Sequence, residues 1–154
     1  MIIKLDQIER NIIILLQEDG RMSFVEMARR LSVAEATVRR KFNRLVSEGV
    51  IRIAAVANPH EIGFNLPVII SVKAEHGKLE SVLQQLVDVD DIRFVAVTTG
   101  DSDLIIEGYF SSSEQLKDFI LTKLSVVEGI SSTQSSVVLN VAKQKYDCGV
   151  PIES

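Results

Sequence analysis

Ser23-Phe24-Val25-Glu26-Met27-Ala28-Arg29-Arg30-Leu31-Ser32-Val33-Ala34-Glu35-Ala36-Thr37-Val38-Arg39-Arg40-Lys41-Phe42-Asn43-Arg44-Leu45 is the stretch that decides the first half of the fold. Ser23 and Glu26 have the spacing of a capping box, in which hydroxyl and carboxylate each satisfy a free N–H of a helix's first turn. The spacing predicts a short helix to about Leu31, a tight break at Ser32 and Val33, and a further helix. That last helix turns Val38, Phe42 and Leu45 inward until Gly49 stops it. Two helices about a turn of three or four residues form a helix-turn-helix. Upstream, Asp6 is an expected N-cap, and Leu5, Ile8, Ile12, Leu15 and Leu16 recur at helical spacing until Gly20. Three helices are therefore expected before residue 50.

Downstream the periodicity changes. Val50 to Val56 (Val-Ile-Arg-Ile-Ala-Ala-Val) reads as a strand, followed by Asn58-Pro59 and Gly63, and the boundary is placed there: 1–57 as the helix-turn-helix domain with its linking strand, 58–154 as a second domain with a C-terminal tail. In the second domain Val68, Ile70 and Val72 alternate with Ile69, Ser71 and Lys73 as in a strand. Leu79, Val82, Leu83, Leu86 and Val87 then follow helical spacing. Strands over 92–99 and 104–110 flank Gly100-Asp101-Ser102-Asp103, which has hairpin chemistry. Ser111 and Ser112 can cap a helix carrying Leu116, Phe119, Ile120 and Leu124, closed by Gly129, and residues 133–141 supply a last strand. The order βαββαβ is ferredoxin-like, so the fold class is α+β with both helices on one face of an antiparallel sheet. Apolar residues occupy both parities of the strands (Val68 and Ile69, Val95 and Ala96, Ile105 and Ile106, Val137 and Val138). A sheet face left apolar on a monomer is rare, so a second copy is expected to cover it, giving a homodimer or a higher homo-oligomer.

Composition bounds the function. The 154 residues, 46% hydrophobic and 25% charged, suffice for one or two small globular domains and exclude a large two-lobed enzyme. No apolar run approaches the roughly 20 residues that span a bilayer, no secretory signal is visible, and the single Cys148 excludes a disulfide framework and a multi-cysteine zinc site. No membrane association and a cytoplasmic location are expected. The net charge of −4 hides an asymmetry. Residues 1–57 hold ten Lys/Arg against seven Asp/Glu, a net of +3, whereas residues 58–154 hold seven against fourteen, a net of −7. A basic front module faces a polyanion.

The third helix is where that polyanion is expected. With Val38, Phe42 and Leu45 inward, Ala36, Thr37, Arg40 and Arg44 lie on the opposite side, flanked by Arg39, Lys41 and Asn43. Small side chains permit close approach to base edges, and arginine and lysine contact phosphates or the guanine edge. An arginine-rich helix alone is most often a solvated face. Its place in a helix-turn-helix inside a basic module turns the reading toward double-stranded DNA.

These residues resemble a family. Met27-Ala28-Arg29-Arg30-Leu31-Ser32-Val33, Glu35-Ala36-Thr37-Val38-Arg39-Arg40 and Glu48-Gly49-Val50-Ile51 are similar to the N-terminal domain of the Lrp/AsnC regulators. The resemblance continues through Asn58-Pro59, Gly63, Thr99-Gly100-Asp101-Ser102-Asp103-Leu104, Gly129-Ile130 and Thr133-Gln134-Ser135-Ser136-Val137-Val138-Leu139, covering about residues 5–145. It implies a transcription regulator in which a helix-turn-helix is joined to a βαββαβ domain that oligomerises and often binds an amino acid. Two positions depart: Ser32 stands where the family often has Gly, and Ala34 replaces the usual Ser cap, at a cost of about 1 kcal/mol.

A free amino acid presents an ammonium and a carboxylate. Asp101 or Asp103 could receive the first and the N–H groups after Gly100 the second, although any tight hairpin uses the same residue types. The resemblance places the effector site at a subunit interface around this loop and carries the role to Gly100, Asp101 and Asp103, and further to Thr133, Gln134 and Ser136. His60 and His76 have no i,i+4 partner, which gives no metal site, and Cys148 has no neighbouring base in sequence. No Walker loop, dinucleotide fingerprint or nucleophile elbow is present, so no cofactor and no catalytic residue are expected. An enzyme resembling the siroheme decarboxylases, which share both domains, is the alternative, and it is disfavoured by two loop histidines and an acidic second half. A partner protein with a vestigial helix-turn-helix is the third reading.

Overall fold

The computed structural model describes residues 3–145, and Cys148 lies outside them. The chain divides between Ala55 and Val56 into two compact units, with residues 143–145 grouped with the first.

The first unit holds α1 (Gln7–Glu18), α2 (Phe24–Leu31) and α3 (Glu35–Ser47). Asp6 caps α1 as its position predicts, and Glu9 completes a reciprocal capping box: Glu9 N–H donates to Asp6 Oδ1 and Asp6 N–H to Glu9 Oε2, both at 2.9 Å. Ser23 accepts from Glu26 N–H at 3.1 Å, but the return half of that box does not form. Two guanidiniums take the Glu26 carboxylate instead, Arg29 at 2.7 Å and Arg30 at 2.9 Å, pairs in which both partners carry charge. Ser32 adopts the left-handed conformation, φ 54°, and ends α2. A glycine would fit there without its Cβ penalty. Ala34 leaves α3 without a side-chain cap. Ile12, Met27, Val38 and Leu45 form the centre of this unit's core, each at most 1% exposed.

The strand expected over 50–56 is absent. Val50 N–H and Ile51 N–H both donate to the Leu45 carbonyl, which ties these residues to the end of α3 and packs them on its core. Beyond them no strand among the described residues runs alongside to accept a ladder, and Ile53 and Val56 are exposed. A single 3₁₀ turn at His60–Ile62 opens the second unit.

That unit contains β1 (Leu66–Ala74), α4 (Leu79–Val87), β2 (Ile92–Val97), β3 (Leu104–Phe110), α5 (Ser113–Asp118) and β4 (Ile130–Val137). The antiparallel sheet has the order β2-β3-β1-β4, the ferredoxin-like arrangement. Val68, Ile70, Val72, Leu104, Ile106 and Phe110 pack on Val82, Leu86, Phe119 and Leu124 from the helices. Val87, expected inward, is 60% exposed because α4 ends at it. Gly108 faces this core: a Cβ there would lie 3.0 Å from the Phe110 ring and 3.2 Å from the Asp91 carbonyl.

Two further differences follow from pairing and helix geometry. The last strand runs over 130–137 rather than 133–141, because its partner β1 starts at Leu66. The final rung is Val138 N–H to the Pro67 carbonyl, and Leu139 beyond it is almost fully exposed. After α5 the chain widens into a π-helical turn, Phe119–Leu124, which brings both end residues into the core. The helical spacing of Leu116, Phe119, Ile120 and Leu124 predicts one helix there and gives no hint of the widening. The sheet's other face carries Ile69, Phe94, Ala96, Ile105 and Tyr109 beside Ser71, Glu107, Gln134 and Ser136, as the register requires. Phe94 is 49% exposed there, so the apolar second face expected from sequence is present on β1, β2 and β3, while β4 contributes polar side chains.

Candidate nucleic-acid interface and effector loop

α3 presents its outer face as a shallow concavity lined by Glu35, Ala36, Arg39, Arg40 and Asn43. The cations assigned to this helix fall into three groups. Arg40 is exposed and makes no ion pair among the described residues. Arg39 is held on two sides: its Nη2 donates to Glu35 Oε1 at 2.7 Å, and its guanidinium carbon lies 4.9 Å from the centroid of the Phe24 ring. Lys41 and Arg44 turn toward α1. Arg44 Nη1 donates to Glu9 Oε1 at 2.8 Å and Arg44 Nε to Glu48 at 2.9 Å, while Lys41 pairs with Asp6 and lies 3.8 Å from Glu9. Ala36 is exposed and Thr37 half-buried beside them.

The Glu9 side chain is 1% exposed, and a buried carboxylate without partners is costly, so Lys41 and Arg44 satisfy it and fix α3 on α1. The Glu48 hydrogen bond and charge, with the Glu9 charge, raise the Arg44 guanidinium above its ordinary value. Burial acts to raise the Asp6 carboxyl, but the hydrogen bonds from Lys41 and Glu9 N–H outweigh it and hold that group below its usual range. Sequence spacing missed Glu9, Phe24 and Glu35. Asp6 to Glu9 has capping-box spacing, and Glu35 to Arg39 is an i,i+4 pair, so two of the three left a signal.

The loop after β2 is tied to the sheet. Thr98 N–H donates to the Asp103 carbonyl at 2.9 Å and the Thr98 hydroxyl to the Ser102 carbonyl at 2.9 Å. Gly100 has φ 118°, a conformation that only glycine adopts without strain. Asp103 is half-buried and its Oδ2 accepts from Ala74 N–H at 2.9 Å, extending the β1–β3 pairing by a side chain. Asp101 is exposed at the tip. Gln134 and Ser136 lie on the open sheet face, paired with Ser71 and Ile69, whereas Thr133, paired with Val72, belongs to the helix-covered face. The six residues are therefore not brought together within one copy. β1 separates Gln134 from Ile105, a span of about 10 Å at the usual strand spacing.

Among the described residues no cluster of three or more His, Cys, Asp or Glu is suited to a metal ion, and no helix is long and apolar enough to cross a membrane. His60 and His76 are both exposed in turns.

A basic second helix of a helix-turn-helix in one unit, joined in the same chain to a ferredoxin-like unit, defines a two-domain DNA-binding transcriptional regulator. The comparisons with known proteins agree with that class. Residues 5–52 match the winged helix-turn-helix DNA-binding model and residues 67–147 the Lrp/AsnC ligand-binding domain model. The chain is 41% identical over 145 residues to an uncharacterized HTH-type transcriptional regulator of Pyrococcus horikoshii, covering 94% of this chain and 92% of that protein. It is 36% identical over 147 residues to the HTH-type transcriptional regulator FL11 of Pyrococcus furiosus, covering 95% and 97%. The fold matches a transcriptional regulator of Neisseria meningitidis in complex with L-methionine, with TM-score 0.86, 24% identity and coverage of 96% and 97%. It matches AsnC of E. coli with TM-score 0.86, 21% identity and coverage of 93% and 97%. The chain belongs to the Lrp/AsnC family of transcription regulators.

Proposed function

We propose that this protein is a sequence-specific DNA-binding regulator that works in the cytoplasm as a homodimer or larger homo-oligomer and responds to an amino acid or a related small molecule. The observation that carries the DNA-contact assignment is the exposed Arg40, without a carboxylate partner among the described residues, in the concavity formed with Glu35, Ala36, Arg39 and Asn43. Thr37 lies beside this set on α3. Lys41 and Arg44 add positive potential to the helix, but their primary partners are Asp6, Glu9 and Glu48.

The effector assignment rests on the ligand-binding domain that the family defines and on the exposed carboxylate of Asp101 after Gly100. The Neisseria relative, whose structure is a complex with L-methionine, supports the class of ligand. In this reading Asp101 receives the ligand ammonium, Asp103 holds the loop to β1, and a second copy laid on the apolar sheet face completes the site with Gln134 and Ser136. Thr133 keeps its place in the set by the family resemblance alone, with its side chain on the helix-covered side of β4. The test is a footprint over DNA upstream of the gene with and without a pool of amino acids. Protection that changes with the pool supports the whole reading. Protection insensitive to it leaves a DNA-binding protein without this effector, and absence of protection refutes the DNA assignment. No observation favours the decarboxylase alternative, and the relatives bear the names of transcriptional regulators.

A further inference from the structure

Arg39 is the one α3 cation whose orientation is set from the core outward. Phe42 on α3 meets Phe24 on α2 edge to face, with ring centroids 5.1 Å apart, and Phe24 packs at the rim of the helix-turn-helix core while Phe42 is half-buried. The outer face of the Phe24 ring receives the Arg39 guanidinium at 4.9 Å. Glu35, one turn earlier on α3, takes one Nη2 hydrogen at 2.7 Å and leaves the other Nη2 hydrogen free to form a fork with Nε or Nη1. An aromatic surface confines a planar guanidinium to one plane, and a carboxylate at one edge fixes its rotation in that plane. All three groups that would meet a ligand here, Glu35, Arg39 and Arg40, line the same concavity as Ala36 and Asn43.

Building on the DNA-binding reading, we propose that Arg39 is the specificity-determining residue of α3: a pre-oriented fork that reads a guanine edge, with Phe24 and Glu35 as its positioning residues. A phosphate contact needs only charge, and exposed Arg40, without a partner among the described residues, supplies that. Two parallel bonds to guanine O6 and N7 need a fixed plane, and Arg39 has one. Glu35 adds discrimination of a second kind. Its carboxylate in the first turn of a helix without a side-chain cap repels the phosphate that a helix N-terminus otherwise attracts, which disfavours contacts that carry no sequence information.

The experiment is selection of duplexes from a randomised pool by the full chain, followed by affinity measurements on the selected site and on its single-base variants. Wild type, Arg39→Lys and Phe24→Leu are compared, with circular dichroism as the check on folding. The wild type selects a site with an invariant guanine. Arg39→Lys keeps the charge but loses the fork, so the preference for guanine at that one position falls about tenfold or more, while preferences elsewhere in the site persist. Phe24→Leu keeps an apolar side chain against the core and produces a partial loss at the same position. A wild type that selects a site, joined by an Arg39→Lys protein with the same preference at every position, overturns the proposal and leaves the DNA-binding reading standing. A wild type that selects no site removes both. Glu35→Gln supplies an independent reading if Phe24→Leu fails to fold: it raises affinity for unselected DNA relative to the selected site, and an unchanged ratio overturns the role given to Glu35.

Discussion

Replacing Arg44 by alanine is expected to destabilise the helix-turn-helix unit, although the residue lies on the helix that meets DNA. The Glu9 carboxylate, 1% exposed, loses its 2.8 Å partner and keeps the Asp6 N–H at 2.9 Å and Lys41 at 3.8 Å. Removing one member of a buried ion pair typically costs about 3–5 kcal/mol, because the other charge is left uncompensated. Arg44 is 44% exposed and Lys41 remains beside Glu9, so screening and the second cation reduce the expected loss to about 1–2 kcal/mol. At about 4–8 °C per kcal/mol for a unit of this size, the transition that unfolds the helices should drop by about 5–15 °C. Differential scanning calorimetry of the full chain measures this, with Arg40→Ala as the control. Arg40 pairs with no acid among the described residues, and its removal should stay within about 0.5 kcal/mol of wild type. An Arg44→Ala protein that melts with the wild type would refute the assignment of Arg44 as a clamp on α1 and return it to the set of plain DNA contacts.

Gly108→Ala should lower stability by about 1–3 kcal/mol in denaturant unfolding, since the new methyl meets the Phe110 ring at 3.0 Å, and a wild-type midpoint would mean that the ring moves aside freely. Asp103→Ala should cost about 1–3 kcal/mol by leaving Ala74 N–H without its acceptor, whereas Asp101→Asn should leave the melting curve unchanged and remove the response of DNA binding to an amino acid. In acid, hydrogen bonds and charge from Arg29 and Arg30 hold the Glu26 carboxyl at about 2 against an ordinary 4.5. Its folded value is depressed, so its contribution to stability is complete above pH 4.5 and is lost as pH falls toward 2. A carbonyl-detected NMR titration should show Glu26 ionised at pH 3.5, and a midpoint near the ordinary value would contradict the pairing.

The element order was legible because each helix and central strand carries its own period. Leu79, Val82 and Leu86 mark α4, and Val68, Ile70 and Val72 mark β1, without help from any distant residue. The errors fall where structure depends on a partner. Residues 50–56 have strand composition but no strand to pair with, and residues 138–141 lie beyond the end of β1. The site was legible as a face and illegible as a set of contacts. Helical spacing put Ala36, Arg40 and Arg44 on one side of α3, but a long guanidinium can reach sideways, and the acid that draws Arg44 to α1 is 35 residues away in the chain. The effector residues showed a similar limit. Hairpin chemistry located Gly100 and Asp103, and only the register shows that Thr133 and Gln134 project to opposite faces of β4.

We propose that α3 binds DNA through its outer face, where Glu35 is paired with Arg39 and Arg40 has no acidic partner among the described residues. Fluorescence anisotropy with a duplex from the gene's own upstream region, titrated with wild type and Arg40→Ala across a range of salt concentrations, tests it most directly. Arg40→Ala should weaken binding by about 1–3 kcal/mol if Arg40 meets a base. If it meets a phosphate alone, the slope of log K against log salt should fall in magnitude by about one, with the melting curve unchanged in either case. Equal affinities and equal salt slopes for the two proteins would contradict the claim.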